Sequence, residues 1–299
     1  MADRKTAGHL AALFTILVWG TTFVCTKVLL RSFTAVEILI YRFVLGFLAL
    51  CLMHPHRMKG VTRRQELFFL GAGLCGVCLY YFLENTALSF TMASNVGVIT
   101  TTAALFSAVF AYFFTDEKTL GRNFIIGFLL ALSGIALISF NGAELHINPK
   151  GDLLALCSAM TWGIYSVLFK EISGFGYGTI CSTRRIFAWG LLFLLFTIPG
   201  SRSAWDFSLV LERQNLLSLL FLGIVASALC FVTWNYAVEA IGTVTTSIYL
   251  YLNPVVTVIA SFIVLSEPIT AKSLLGTALI LLGLMISERK GKKATGLSQ

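Results

Sequence analysis

The order of apolar and polar residues along the chain predicts ten helices, each long enough to cross a lipid bilayer. Apolar runs of about 20 residues, the length that crosses a hydrocarbon core of roughly 30 Å, alternate with short polar connections. Because the connections are short, successive helices are expected to be antiparallel neighbours. The predicted helices cover residues 8–30, 34–53, 66–88, 94–114, 120–140, 151–170, 178–198, 214–238, 243–265 and 269–288. The predicted fold class is therefore an all-α integral membrane protein with ten transmembrane helices.

The composition of the chain indicates lipid, rather than water, as the solvent around most of these helices. Hydrophobic residues make up 57% of the 299 residues, charged residues make up 12%, and the mean hydropathy is +0.86. Such a chain has too little polar surface to cover a soluble core of its size. The lipid bilayer is therefore the first partner that the sequence predicts.

The net charge of +8 does not indicate a nucleic-acid partner, because the lysines and arginines cluster at the ends of the apolar runs. This distribution instead sets the orientation of membrane proteins, whose cytoplasmic loops carry the excess of Lys and Arg. Most of the loop cations fall on the side of both termini. The sequence thus predicts a multi-pass protein of the cell (inner or plasma) membrane with both termini in the cytoplasm.

The chain contains an internal repeat. At an offset of 143 residues Trp19-Gly20 aligns with Trp162-Gly163, and the same offset places Arg42 on Arg185. Further along, small differences in loop length enlarge the offset to 149 or 150 residues. The later matched pairs are Asn85 with Asn235, Glu117 with Glu267, Gly127 with Gly276 and Gly134 with Gly283.

Each copy of the repeat holds five predicted helices. Since five is an odd number, the second copy must enter the membrane in the opposite sense to the first. The sequence therefore predicts two inverted five-helix repeats, residues 1–142 and residues 143–299, the second ending in a basic cytoplasmic tail. Inverted repeats are typical of secondary transporters, although architecture alone does not establish function.

Several short motifs recur in a fixed order along residues 8–288. They are the Trp-Gly pair and the following arginine in each half, Leu252-Asn253-Pro254-Val255, Leu265-Ser266-Glu267-Pro268-Ile269-Thr270, and the closing helix with Gly276 and Gly283. Together they resemble the drug/metabolite transporter superfamily, and most closely its EamA-type ten-helix transporters. The resemblance implies a central cavity and the export of small metabolites such as amino acids. One residue departs from it: Ala104 stands where a proline is expected, so the fourth helix and the ninth, which has Pro254, are expected to bend unequally.

The third predicted helix carries the strongest candidate for a binding residue. Tyr81, Glu84, Asn85 and Leu88 share one helical face by the i, i+3, i+4 rule. An acid inside the membrane suggests binding of a substrate ammonium group or coupling to protons, but Glu84 could also reach the headgroup region. Asn85 and its matched Asn235 could line a cavity or form hydrogen bonds between helices.

The tryptophans and the ninth helix supply further candidates for the substrate site. Trp19 and Trp162 could be the walls of a cavity or packing anchors. Pro254 is expected to kink the ninth helix about a third of the way along and to free a carbonyl beside Asn253, for a ligand or as a packing kink. Tyr251 is the tyrosine near this kink that we expect to face a pore.

Four charged residues are interpreted as gating or structural. Arg42 and Arg185 are about 12 Å inside their helices, where they must face protein or water, either paired with helix-end carbonyls or meeting a substrate carboxylate. Glu117 and Glu267 end the fourth and ninth helices, where an acid complements the amino terminus of the following helix.

The leading hypothesis is a secondary transporter, an exporter of small metabolites such as amino acids, working by alternating access. A G-x-x-x-x-G-K-[ST] nucleotide loop is absent from the sequence, so an ion gradient, with protons as the candidate ion, would drive it. A sugar-phosphate or nucleotide-sugar exchanger is the alternative, and it would require more cationic side chains in the cavity. A membrane-embedded enzyme would need catalytic residues at a common depth, and the sequence offers none; no catalytic site, cofactor or metal is predicted. The substrate and the oligomeric state do not follow from the sequence.

Overall fold

The structure, a computed structural model, describes residues 2–56, 58–90, 93–116, 121–139, 149–201, 203, 205–265 and 271–288. Within these ranges all regular structure is helical, which confirms the all-α prediction. The helices before residue 140 are α1 (Ala2–Leu29), α2 (Ala35–Met53), α3 (Arg63–Gly73), α4 (Tyr80–Leu88), α5 (Ala93–Thr100), α6 (Ala103–Phe114) and α7 (Arg122–Ser139). Those after it are α8 (Pro149–Ser173), α9 (Thr179–Leu195), α10 (Phe207–Leu211), α11 (Arg213–Leu220), α12 (Cys230–Ile241), α13 (Thr243–Ile248), α14 (Asn253–Leu265) and α15 (Ala271–Glu288).

Several of these helices are long and apolar enough to cross a membrane. Among the described residues, four satisfy both length and composition: Ala35–Met53, Arg63–Leu88, Pro149–Ser173 and Arg213–Ile241. Ala103–Phe114, Arg122–Leu137 and Leu274–Ser287 are shorter apolar helices. Together they define a multi-pass helical membrane protein.

Large apolar side chains cover much of the outer surface of the bundle. Leu52 is 84% exposed, and Phe113 and Phe114 are each 70% exposed. A water-soluble protein rarely presents apolar surface so continuously. The exposed rings and aliphatic chains suit contact with lipid tails.

Two helices contain π-helical segments at matched places in the chain. Leu74–Leu79 joins α3 to α4, and Phe221–Leu229 joins α11 to α12. The two segments end 150 residues apart, which is the offset that aligns Asn85 with Asn235. Segments of this kind often mark functional positions, because they change the direction in which the following side chains point.

The fourth and ninth predicted helices are each interrupted, which corrects the prediction of continuous helices over 94–114 and 243–265. A turn at residues 101–102 separates α5 from α6, and a 3₁₀ segment, Tyr249–Leu252, separates α13 from α14. Helices α6 and α14 begin at Ala103 and Asn253, again 150 residues apart.

The interruption before α6 forms without the proline that was expected there. The Thr102 hydroxyl donates to the Ile99 carbonyl, and the Thr100 hydroxyl donates to the Val96 carbonyl at 2.8 Å. Threonine side chains that bond to the preceding turn compete with the helical backbone pattern. The interruption therefore coincides with threonines that bond to the preceding turn, and the residue at position 104 is alanine.

Pro254 also differs from its predicted role. It is the second residue of α14, so it lies in the first turn of a new helix and does not kink a continuous one. Proline is well suited to this position, because its missing N–H would have no partner within the helix.

Helices α7 and α15 pack at very close range through glycines. A Cβ atom added at Gly127 would lie 2.5 Å from the Gly283 carbonyl oxygen, and one at Gly134 would lie 2.5 Å from the Gly276 carbonyl oxygen. Such contacts are typical of membrane helices, where small residues let backbones approach. Because Gly127 meets the later glycine and Gly134 the earlier one, the two helices run antiparallel.

The centre of the bundle is a cluster of buried aromatic rings. Trp162, Trp234 and Phe231 are at most 2% exposed. The centroid of the Trp162 ring lies 5.9 Å from that of Phe231 and 5.9 Å from that of Trp234. Around them pack side chains from α1, α2, α4 and α9. This cluster forms one end of a cavity between the helices.

Candidate functional site

A cavity lined by both polar and apolar side chains lies in the middle of the bundle, with a volume of about 40 Å³. It extends from the tryptophans in the middle of α1 and α8 to the end of α4. Side chains from both halves of the chain line it. They are Trp19, Thr22, Thr26, Arg42, Tyr80, Tyr81, Glu84, Asn85, Leu88, Thr100, Thr101, Ala103, Trp162, Leu250 and Asn253.

Two tryptophans form the inner end of the cavity. Trp19 and Trp162 are in edge-to-face contact, with ring centroids 5.2 Å apart. The Trp19 indole N–H donates to the Ala226 carbonyl at 2.8 Å. The Trp162 indole N–H is buried and has no acceptor among the described residues. The two matched tryptophans therefore differ in their hydrogen bonding.

Arg42 brings a positive charge to the cavity from α2, where it is only 4% exposed. Its Nε donates to the Ser227 hydroxyl at 2.6 Å, and its Nη2 donates to the Tyr81 hydroxyl at 3.2 Å. The guanidinium also lies 4.3 Å from the centroid of the Tyr81 ring, a cation–π contact. The prediction that helix-end carbonyls hold this arginine is therefore wrong, and side chains hold it instead.

Glu84 brings a negative charge to the same cavity from α4. It is 6% exposed, so it lies in the protein interior. Its Oε1 accepts a hydrogen bond from the Tyr80 hydroxyl at 3.5 Å. Among the described residues the carboxylate has no cationic partner within 4 Å.

Asparagine amides add neutral polar groups to the lining. Asn85 is 5% exposed and follows Glu84 on the same helical face. Asn253 lies at the first residue of α14, and its Oδ1 is buried without a hydrogen-bond donor among the described residues. Two of the residues that line the cavity, Asn253 and Trp162, therefore each have a buried polar atom without a hydrogen-bond partner among the described residues.

Six of the eight predicted substrate-site residues line the cavity: Trp19, Tyr81, Glu84, Asn85, Trp162 and Asn253. The structure places Asn235 and Tyr251 elsewhere. Asn235 accepts from the Tyr165 hydroxyl at 2.6 Å and donates to the Thr183 hydroxyl at 3.0 Å, so its amide joins three helices. Tyr251 is 1% exposed and packs against Phe128, on the side of the 3₁₀ segment away from the cavity.

The predicted gating residues have different environments. Arg185 donates to both carboxylate oxygens of Glu66, at 3.1 and 2.6 Å, and lies outside the cavity lining. It therefore does not repeat the role of the matched Arg42, and the prediction that carbonyls hold Arg185 is wrong as well. Glu117 and Glu267 lie outside the described residues.

Other lining residues were missed by the sequence analysis. Thr22 and Thr26 follow Trp19 at i+3 and i+7, a spacing that could have identified them. Tyr80 packs against Trp162 with ring centroids 4.8 Å apart and the ring planes tilted by 52°, although it neighbours Tyr81 in sequence. Thr101 reaches the lining because it lies in the turn between α5 and α6, which the apolar pattern did not reveal.

A buried cavity with a charged lining among long apolar helices is typical of membrane transport proteins. A model of the EamA-like transporter family matches residues 6–140 and again residues 149–288. The chain belongs to this family, which confirms the predicted resemblance. The two matches also coincide with the two copies of the internal repeat.

Individual relatives share this assignment. An "Uncharacterized transporter" of Archaeoglobus fulgidus is 26% identical over 289 residues, which cover 94% of this chain and 97% of the relative. A "Probable terminal-alkyne amino-acid exporter" of Streptantibioticus cattleyicolor is 25% identical and covers 94% and 93% of the two chains. A "Probable amino-acid metabolite efflux pump" of Escherichia coli is 24% identical, with 92% and 93% covered. These names point to a transporter rather than to an enzyme.

A solved crystal structure of another protein has the same fold. It superposes with a TM-score of 0.78 over 95% of this chain and 96% of its own, at 20% sequence identity.

Proposed function

We propose that the protein is a secondary transporter that exports amino acids or closely related small metabolites by alternating access between two inverted halves. The observation that carries the proposal is the charged cavity of Arg42 and Glu84, which is closed at one end and buried among membrane helices. The printed names of two relatives, an amino-acid exporter and an amino-acid metabolite efflux pump, agree with it.

The contacts between α7 and α15 support the two-halves arrangement. Under the repeat, Gly127 corresponds to Gly276 and Gly134 to Gly283. If each residue is replaced by its match in the other half, the contact between Gly127 and Gly283 becomes a contact between Gly276 and Gly134. That second contact is also observed. A pair of contacts that exchange in this way is expected about a twofold axis. The antiparallel course of two equivalent helices is what an inverted repeat requires.

A second set of contacts at the first helix of each half has the same property. A Cβ atom at Gly20 would lie 2.5 Å from the Val256 side chain, and one at Gly163 would lie 2.8 Å from Phe106. Gly20 matches Gly163 at an offset of 143, and Phe106 matches Val256 at an offset of 150. The contact between α1 and α14 thus has its equivalent between α8 and α6, which supports the same twofold relation.

The end of the bundle that carries the amino terminus is closed by polar contacts. Arg4 forms an ion pair with Glu239, and the Thr179 hydroxyl donates to the same carboxylate at 3.0 Å. His9 Nδ1 and the Tyr249 hydroxyl share a hydrogen bond of 2.8 Å. These contacts join α1 to α12 and to the 3₁₀ segment, and they join α9 to α12, beyond the tryptophan end of the cavity. With the termini in the cytoplasm, the proposal assigns this conformation to a state closed toward the cytoplasm.

Counterflow in proteoliposomes tests the proposed function. Vesicles loaded with one unlabelled compound at a time are diluted into labelled compound, with and without an imposed proton gradient. The panel contains amino acids, sugar phosphates and nucleotide sugars, and protein-free vesicles are the control. We expect labelled amino acids to accumulate transiently only in the vesicles with protein. Exchange of sugar phosphates alone would replace this function with the exchanger alternative, and no exchange by any compound would refute transport.

A further inference from the structure

Among the described residues, the lining of the cavity has one positive side chain, Arg42, and one negative side chain, Glu84. The two groups form no ion pair within 4 Å, and their hydrogen-bond partners are neutral hydroxyl groups. Both residues are at most 6% exposed. Both side chains line the same cavity.

This arrangement leaves hydrogen-bonding capacity on both charged groups. A guanidinium has five N–H donors, and among the described residues Ser227 and Tyr81 accept one each from Arg42. A carboxylate accepts about four hydrogen bonds, and Glu84 receives one, from Tyr80, at the long distance of 3.5 Å. Buried charges are costly unless paired. A ligand that carries both charges would satisfy both groups at once.

We propose that the transported compound is a zwitterion with an apolar side chain, whose carboxylate binds Arg42 and whose ammonium group binds Glu84. The proposal rests on the proposed transport function and adds the substrate class. A primary ammonium and a carboxylate on neighbouring carbons, as in an α-amino acid, place both charges within one small molecule. Asn253 and Trp162 line the same cavity, and each has a buried polar atom without a partner among the described residues.

The aromatic rings around the charged pair define the third part of the site. Tyr80 lies 4.8 Å from Trp162, and Trp162 lies 5.2 Å from Trp19, measured between ring centroids. Flat, mostly apolar surfaces of this kind bind aliphatic or aromatic side chains. The three rings therefore select the apolar side chain of the substrate.

The same geometry disfavours compounds that carry a single sign of charge. A sugar phosphate would pair with Arg42 but bring its negative charge toward Glu84, at a repulsive cost. A simple amine would pair with Glu84 and leave Arg42 without its anion. Both would place an unpaired or like charge in a buried site, which is strongly unfavourable.

The first experiment uses the native protein in proteoliposomes and compares three competitors of labelled L-phenylalanine counterflow. L-phenylalanine keeps both charges, L-phenylalaninamide lacks the carboxylate, and 3-phenylpropionate lacks the ammonium group. All three have the same ring. We expect the two singly charged analogues to compete roughly tenfold or more weakly than the parent, equal to about 1.4 kcal/mol or more of lost binding free energy each.

The second experiment assigns each charge to its residue. Glu84→Gln should weaken competition by L-phenylalanine and strengthen competition by 3-phenylpropionate relative to that by L-phenylalanine. Arg42→Gln should instead strengthen competition by L-phenylalaninamide relative to that by L-phenylalanine. Matched controls are Glu171→Gln and Arg64→Gln, which change exposed residues outside the cavity. A purely structural role of either residue would weaken all three compounds equally.

Each outcome separates this inference from the proposed function. If the analogues compete as well as L-phenylalanine on the native protein, the zwitterion proposal is wrong while transport stands. If L-phenylalanine, L-leucine and L-threonine all fail to exchange but sugar phosphates succeed, the substrate class is likewise wrong. If no compound exchanges at all, the proposed function fails first. Because the analogue series needs no variant, an Arg42 variant that fails to fold does not affect the decision.

Discussion

At the scale of single residues, the matched tryptophans show how the same side chain acquires different roles. The Trp19 indole is fixed by its hydrogen bond to Ala226, in the second π-helical segment, whereas the Trp162 indole N–H has no acceptor among the described residues. Both rings pack in the same cluster and contact Trp234. Their packing is therefore shared, and their hydrogen bonding is not.

This difference predicts opposite consequences for the same substitution. Trp19→Phe should lower the free energy of unfolding by about 1 kcal/mol beyond the packing loss, because the Ala226 carbonyl loses its donor. Trp162→Phe serves as the matched variant with the same packing loss and no broken bond. We expect Trp162→Phe to be the more stable of the two variants but to bind substrate with the lower affinity in competition assays. Thermal unfolding in detergent and proteoliposome counterflow measure these effects, and a Trp162→Phe variant with unchanged affinity would exclude its N–H from binding.

Helix periodicity predicted much of the site, but only where the helix is regular. Tyr81, Glu84 and Asn85 all reach the cavity, because they lie within one uninterrupted α-helix. Asn235 matches Asn85 in sequence yet faces Thr183 and Tyr165. The π-helical segment before α12 has nine residues and the one before α4 has six. Since each wider turn rotates the residues after it about the helix axis, equal positions in the two halves need not face the same way.

At the scale of helices, the interruptions of the fourth and ninth helices bring loop-like backbone into the middle of the bundle. Irregular backbone at this depth is tolerated where it lines a cavity. Thr101 lies in one interruption and Leu250 in the other, and both line the cavity. The apolar pattern could not predict either interruption, because periodicity records which residues are apolar and not where backbone hydrogen bonds change.

The interruption before α6 predicts an unusual tolerance to proline. Ala104→Pro places proline in the first turn of α6 and removes one hydrogen bond, from the Ala104 N–H to the Thr101 carbonyl at 3.1 Å. We expect a loss of about 1 kcal/mol in the free energy of unfolding. Ala108→Pro, at an equally buried alanine inside the same helix, should cost about 3 kcal/mol or more. Unfolding midpoints compare the two, and equal losses would mean that α5 and α6 behave as one continuous helix.

Close packing of α7 and α15 leads to a prediction about helix association. Gly134→Ala introduces a methyl group 2.5 Å from the Gly276 carbonyl, so the helices must separate, and we expect a loss of about 1 to 3 kcal/mol. Gly97→Ala is the control, because nothing lies within 4 Å of a Cβ atom added there. That control should be neutral or slightly stabilising, since alanine favours helix more than glycine. A shift in thermal midpoint for Gly134→Ala no larger than for Gly97→Ala would contradict the close packing.

At the scale of the whole molecule, some features of the helices recur in both halves, but the charged side chains of the site do not. Glycine contacts and helix interruptions recur in both halves, whereas Arg42 faces the cavity and its equivalent Arg185 pairs with Glu66. Glu84 likewise has no acidic counterpart in the second half, where residue 234 is Trp234. In the proposed mechanism the symmetric contacts permit an exchange of conformations, and the asymmetric side chains keep one substrate site throughout.

The orientation of the cavity gives the last prediction, for which a cysteine at Thr22 is the reporter. Thr22 lines the cavity and is partly exposed, so Thr22→Cys, in a chain whose native cysteines are replaced, should react with a membrane-impermeant maleimide. If both termini are cytoplasmic, labelling should occur in intact cells, whereas the exposed Arg64→Cys should react only in inverted vesicles. The opposite pattern would reverse the predicted topology.

The polar contacts that close the terminal end of the bundle determine how strongly the rate of this labelling can change. Glu239→Gln removes the ion pair with Arg4 and weakens the bond from Thr179, so it favours a conformation open at the terminal end. Exposed ion pairs of this kind contribute up to about 1 kcal/mol, which corresponds to at most about a fivefold shift in population. We therefore expect Glu239→Gln to slow Thr22→Cys labelling in intact cells and to speed it in inverted vesicles. Changes of the same sign on both sides would mean that Glu239 stabilises the fold and does not control which side the cavity opens to.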